Sequence, residues 1–145
     1  MNVRPTSFDF PLFLHVFGAM ALFGAVLAAF LAALAAWRKP ESATLRRAVF
    51  FSLLAVAVPG YVAMRAGAQW IYSKEGFSGN DDPAWVGVGF IIADGGLLLL
   101  LITIGVTVWW RRSAKAIAGR IVTGLSGLYL VLLAIAWLAM SGKWG

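Results

Sequence analysis

The sequence contains no cysteine. Disulfides, thiolate metal sites and cysteine nucleophiles are thereby excluded. Histidine is nearly as scarce, with His15 alone. One chain therefore cannot hold a haem between two histidines. A homodimer, or a His/Met pair using Met20 or Met64, would be needed. Charge is also sparse, at 12% of 145 residues, against roughly 25% in a soluble domain. No Ser-His-Asp set, carboxylate pair or phosphate-binding loop is legible, so the chain reads as non-enzymatic, and its cofactor is left open.

What is there is apolar. Hydrophobic residues make up 61% of the chain, and the mean hydropathy is +0.86. A soluble protein of this composition would expose its excess apolar surface, so the bilayer is the expected solvent and partner. Four stretches are almost free of charge: Phe10–Trp37, Ala48–Met64, Pro83–Trp110 (interrupted by Asp94) and Ile121–Gly142. A helix needs about 20 apolar residues to cross a ~30 Å hydrocarbon core. The stretches predict an all-α, four-transmembrane-helix bundle forming one domain over 1–145. The approximate spans are 12–36, 48–72, 84–110 and 118–141. In the second, the helix continues past Arg65, whose long side chain reaches toward the headgroups. The first stretch is too long and too weakly basic at its start for a cleaved signal peptide.

Orientation follows from the basic residues. The connection Arg38–Arg47 holds Arg38, Lys39, Arg46 and Arg47 against Glu41, and Arg111–Arg120 holds Arg111, Arg112, Lys115 and Arg120 against no acid. The opposite side balances Arg4, Arg65, Lys74 and Lys143 against Asp9, Glu75, Asp81, Asp82 and Asp94. Both basic connections are expected in the cytoplasm, giving N-out/C-out in a plasma (inner) membrane. The net charge of +6 is then topology and contact with anionic lipid, and no nucleic acid is expected. Trp37, Trp109 and Trp110 fall where an inner aromatic belt belongs; Trp70, Tyr72, Trp85 and Trp144 fall where an outer one belongs.

Local signals fill in the connections. Pro40 ends the first helix, and Ser42 or Thr44 caps the second. In the loop Ser73–Ala84, Asp82 is placed as an N-cap with Pro83 at the first helical position. Adjacent Asp81 and Asp82 lack the alternate ligand spacing of a calcium loop and read as a solvated cap, so no metal is assigned. Pro59-Gly60 predicts a kink. Two small-residue ladders run along the first helix, Ala21/Ala25/Ala29/Ala33 and Gly24/Ala28/Ala32/Ala36, and Gly119/Thr123/Gly127 forms a similar row on the fourth. They suit close packing within the bundle or in a homo-oligomer or larger membrane complex. The halves echo each other: Trp37 matches Trp110 at an offset of 73, and Trp70 matches Trp144 at 74. A parallel repeat and shared membrane constraints account for this equally.

The candidate site comes from polar residues inside the spans, where they are expensive and usually face inward. At about 1.5 Å per residue, Arg65 stands roughly 27 Å above Arg47, Asp94 roughly 25 Å from Arg111, and His15 roughly 34 Å from Arg38. Gln69 lies one turn beyond Arg65. His15, Arg65, Gln69 and Asp94 are therefore expected in one polar cluster under the outer loop. Arg65 and Asp94 neutralise each other there, either as a tie between helices or as part of a pocket for a proton, an ion or a small polar ligand. Gly95 and Gly96 expose backbone beside it to water, a ligand or a close helix.

Leu14-His15-Val16-Phe17-Gly18-Ala19-Met20, followed by Gly24, resembles the opening helix of small bacterial integral membrane proteins related to the copper-resistance D group. The resemblance implies a bacterial inner-membrane protein and no particular activity. Three functional readings follow: an accessory or structural membrane protein, a small transporter or ligand-binding protein using the outer cluster, and a haem or quinone redox subunit.

Overall fold

A computed structural model describes residues 9–77 and 82–142. They form four long helices: α1 (Asp9–Ala35), α2 (Ala43–Glu75), α3 (Ala84–Ser113) and α4 (Ala116–Gly142), and each is long and apolar enough to span a bilayer. With 27 to 33 residues apiece they extend about 40–50 Å, so their ends reach beyond the hydrocarbon into the headgroup layers. Phe13, Phe17, Met20, Ile91, Leu98 and Trp137 project outward. That outward apolar surface is what lipid solvates, and the chain is built as a multi-pass membrane protein.

The helices alternate in direction and form a ring. Neighbours α1–α2, α3–α4 and α1–α4 pack along much of their length. The fourth seam is different: α2 and α3 come close in the half near the two basic connections and stand apart in the other half. We call the former the lower half. The upper half ends at the connection between Glu75 and Ala84.

The divergence begins where α2 is irregular. Its first segment, Ala43–Phe51, starts at Ser42, whose Oγ accepts from the Leu45 amide at 3.2 Å. Ser52–Ala57 then winds as a π-helix before α-geometry resumes at Val58–Glu75. Pro59 lacks an amide hydrogen, and its ring crowds the carbonyl four residues earlier; a wider turn absorbs both effects. The expected kink at Pro59-Gly60 is thus a local change of helix type placed just below it.

Below that point the interior is close-packed. Val26, Ala29, Val49, Leu53, Leu100 and Val122 are among its fully buried side chains. Buried Thr103 and Thr107 donate to carbonyls one turn back, each at 2.7 Å. Thr123 donates to Gly119 O at 2.9 Å and accepts from Trp37 Nε1 at 3.1 Å. No hydroxyl of these three is left unpaired where water is absent. At the lower rim the Arg111 guanidinium lies 4.4 Å from the Phe50 ring centre, tying α3 to α2. Only Ala114 and Lys115 separate α3 from α4. Ala114 has φ 53° and donates to Trp110 O at 2.8 Å, closing α3 with a left-handed residue that is not glycine.

Three sequence expectations change in detail. α3 begins at Ala84, with Pro83 extended at its N-cap, because Asp82 does not cap. Its carboxylate instead accepts from Tyr72 Oη at 2.7 Å. The first alanine ladder faces inward, whereas Gly24 and Ala28 of the second face outward. Trp110 is 3% exposed and its counterpart Trp37 is 53% exposed, so the echoed tryptophans sit in unlike surroundings. Arg4, Asp81, Lys143 and Trp144 lie outside the described residues.

Candidate functional site

Where α2 and α3 separate, they leave a cavity of about 280 Å³ walled by all four helices. α1 contributes Leu12 and His15; α2 contributes residues spaced between Met64 and Glu75, among them Arg65, Ala68 and Tyr72; α3 contributes residues between Trp85 and Ala93; α4 contributes Tyr129, Leu133 and Met140. The eleven-residue separation of Met64 and Glu75 puts its height at about 16 Å. The walls are apolar apart from a few side chains, as in a typical small-molecule site. The top is aromatic. Tyr72 meets Phe90 edge-on at 5.2 Å and Phe77 at 5.6 Å, and Phe77 meets Trp85 at 6.4 Å.

Glycines set the walls. On α1–α2, a Cβ added at Gly67 would stand 2.5 Å from the His15 amide nitrogen and 2.7 Å from Pro11 O. One at Gly60 would stand 2.9 Å from the Leu22 nitrogen, and one at Gly18 would collide with Met64 N and Gly60 O. The two backbones touch, and this brings the His15 ring to α2. Its Nδ1 lies 2.9 Å from Met64 O. A carbonyl only accepts, so Nδ1 carries the hydrogen, and in the neutral ring Nε2 is the remaining acceptor.

On α3–α4 the glycines receive side chains. A Cβ at Gly96 would be 2.7 Å from Tyr129 Cε2 and 3.0 Å from its Oη. A Cβ at Gly89 would meet the Met140 methyl. Gly96 therefore makes room for a phenol that is 2% exposed. Among the described residues Tyr129 Oη has no hydrogen-bond partner, and neither has Ser126 Oγ one turn earlier on α4. Burying a hydroxyl unpaired costs about 1–3 kcal/mol.

Arg65 spans the open seam. Its Nε lies 3.4 Å from Asp94 Oδ1, its Nη1 donates to Gln69 Oε1 at 3.0 Å, and its guanidinium carbon is 4.6 Å from the centre of the Phe90 ring. Asp94 points away from the bundle, with its side chain 67% exposed between Ile91 and Leu98; that of Arg65 is 29% exposed. The expected cluster is thus divided. Arg65, Gln69 and Asp94 form one polar group on the outside of the seam, and His15 is bonded instead to the Met64 carbonyl in the α1–α2 contact. Arg65 and His15 line the cavity; Gln69 and Asp94 do not. Gly95 opens outward, with nothing near a Cβ there.

Sequence reasoning missed Tyr129, Met140 and Phe90 as wall residues. Tyr129 carried one usable signal, being the only aromatic hydroxyl in the fourth apolar stretch. Among the described residues no three His, Asp or Glu side chains converge on a point. The site has neither a nucleophile with an adjacent base nor a cradle for phosphate. It is suited to holding a compact apolar molecule against a few hydrogen-bonding groups. The chain matches no family model, no curated protein and no solved structure.

Proposed function

We propose that this protein is a ligand-binding membrane protein that holds one small, largely apolar molecule in the upper cavity. The observation that carries the reading is the cavity of about 280 Å³ at the α2–α3 seam, walled by apolar side chains of all four helices with His15 and Arg65 among its few polar groups. In this reading Arg65 and Asp94 brace the seam beside the ligand, and His15 supplies a polar contact in the lining.

The positive-inside bias supports a topology with the lower connections in the cytoplasm and the cavity near the outer face, N-out/C-out, and a bacterial inner membrane is the setting we propose for it. The location agrees with the resemblance of the opening helix, whose segment Leu14–Met20 supplies both His15 and Gly18 to the α1–α2 contact. Transport across the bilayer would need a path through the lower half, where Leu53, Leu100 and Thr107 close the interior. Binding at the outer side is therefore the better-supported form of the reading.

The test is native mass spectrometry of the protein released from mild detergent after incubation with small apolar molecules. One retained molecule per chain is expected, and Ala93→Phe, which fills the cavity, abolishes retention. No retention of any probe, or equal retention by Ala93→Phe, overturns the reading.

A further inference from the structure

The lower rim carries a second recess, and its lining points to a ligand. We infer that the turn between α1 and α2 binds one anionic phospholipid, with the headgroup phosphate on Arg38 and Lys39 and an acyl chain along Leu31 and Leu34. This site is separate from the upper cavity and does not depend on the reading proposed for it.

The recess is open, with a volume of about 590 Å³. Its lining divides by chemistry. Leu31 and Leu34 come from α1 and are 53% and 40% exposed, on the side of that helix that faces lipid. Arg38, Lys39, Ser42 and Thr44 come from the turn and the first residues of α2. An apolar wall thus passes into a cationic one within two helical turns. That is the polarity of a lipid read from tail to headgroup, and the ends of these long helices stand at the headgroup layer.

The two cations have no internal partner. Among the described residues, neither the Arg38 nor the Lys39 side chain makes a hydrogen bond or an ion pair. Other cations of the lower rim are engaged within the chain. Arg46 donates to Pro40 O at 2.9 Å, Arg111 lies 4.4 Å from the Phe50 ring centre, and Arg120 lies 5.8 Å from that of Trp37. Glu41, the acid of this connection, is exposed and does not line the recess.

The hydroxyls add donors. Ser42 Oγ accepts from the Leu45 amide at 3.2 Å, which leaves its own hydrogen to give to an anionic oxygen. Thr44 brings a second hydroxyl to the lining. The turn is fixed by its own backbone: Arg38 N donates to Ala35 O at 3.1 Å, and Ser42 N to Lys39 O at 3.0 Å. The charged residues are therefore carried on an ordered turn before a ligand arrives, which lowers the cost of binding one.

Inorganic phosphate offers the same anionic oxygens. It would use the cations and leave the leucine wall bare, whereas a lipid covers both. A zwitterionic headgroup brings its own cation, which Arg38 and Lys39 repel. Diffuse attraction of basic loops to anionic lipid acts at both lower connections alike. A site acts at one.

The experiment counts lipids retained by the protein in native mass spectrometry from mild detergent. The protein is titrated with dioleoyl-phosphatidylglycerol or with the phosphatidylcholine of the same chains. One tightly held phosphatidylglycerol per chain is expected, in clear preference to phosphatidylcholine. This wild-type comparison stands without any variant. Arg38→Gln combined with Lys39→Gln should weaken phosphatidylglycerol binding roughly twentyfold, at about fivefold for each cation. Arg112→Gln combined with Lys115→Gln removes the same charge from the other connection and should leave binding nearly unchanged. All four side chains are exposed, so neither variant removes core packing. Inorganic phosphate should not displace the lipid.

Equal retention of the two lipids by the wild type overturns the choice of an anion. Equal losses from the two double variants reduce the binding to diffuse attraction and overturn the site. Displacement of the lipid by inorganic phosphate assigns the recess to free phosphate and overturns the lipid. None of these outcomes touches the upper cavity, whose occupant is tested by Ala93→Phe.

Discussion

The two hairpins of this bundle solve the same packing problem in opposite ways. In α1–α2, glycines at 18, 60 and 67 bring one backbone directly against the other. In α3–α4, glycines at 89, 96 and 119 are notches filled by Met140, Tyr129 and Trp110. The first joint is rigid, because a backbone cannot yield to an added methyl group. The second is adjustable to the degree that its inserted side chain can rotate. Glycine content alone therefore says little about how tightly two membrane helices are coupled. What faces the glycine decides it.

The contrast ranks substitutions. The largest effect is expected from Gly67→Ala, whose new methyl group would press on the His15 and Pro11 backbone. A loss of about 3 kcal/mol is expected, measured as a shift in the unfolding midpoint on titration with a denaturing detergent. A midpoint unchanged from wild type would mean that backbone contact is not what joins this hairpin.

Gly96→Ala should cost less, about 1–2 kcal/mol, because the Tyr129 ring can be displaced although it is well packed. Full stability would show that the Tyr129 ring does not need the Gly96 notch.

The third comparison lies between the hairpins. Arg65 and Asp94 connect α2 to α3 where the helices otherwise stand apart. A double-mutant cycle with Arg65→Gln and Asp94→Asn should return a coupling of ~1 kcal/mol, modest because the pair meets through a single contact of 3.4 Å. Strict additivity of the two single losses would remove the pair as a brace.

The smallest effect is expected at Gly89→Ala, within about 0.5 kcal/mol of wild type. Its methyl group meets only the mobile tip of Met140. A loss as large as that of Gly67→Ala would erase the distinction between the two hairpins.

The sequence made much of this plan legible, for reasons that differ by region. Lengths of uncharged chain and the two basic connections marked the helices, because lipid imposes length and polarity directly. The pairing of Arg65 with Asp94 was readable from rise per residue alone, since the two lie at similar heights. His15 failed to join them because height says nothing about which side of a ring of helices a residue occupies. The cavity was not legible at all. It exists because α2 and α3 diverge, and that divergence depends on helix geometry just below Pro59 rather than on composition. The glycine contacts were hidden for a related reason: the alanine ladders of α1 are more regular in sequence than Gly18, Gly60 and Gly67. Those three meet only once the crossing of α1 and α2 is known.

The wide turn at Ser52–Ala57 has a consequence for numbering along α2. A π turn accommodates one residue more than an α turn, so everything above it is advanced by one position relative to an uninterrupted helix. One position corresponds to about 100° of rotation. Deleting a single residue between 52 and 57 would let the helix run regularly and would turn its upper half by that angle. Arg65 would leave Asp94, and Gly67 would leave His15, in one step. α2 thus behaves as two helices set at a fixed phase, and the extra residue in the turn is the gear tooth that holds the setting.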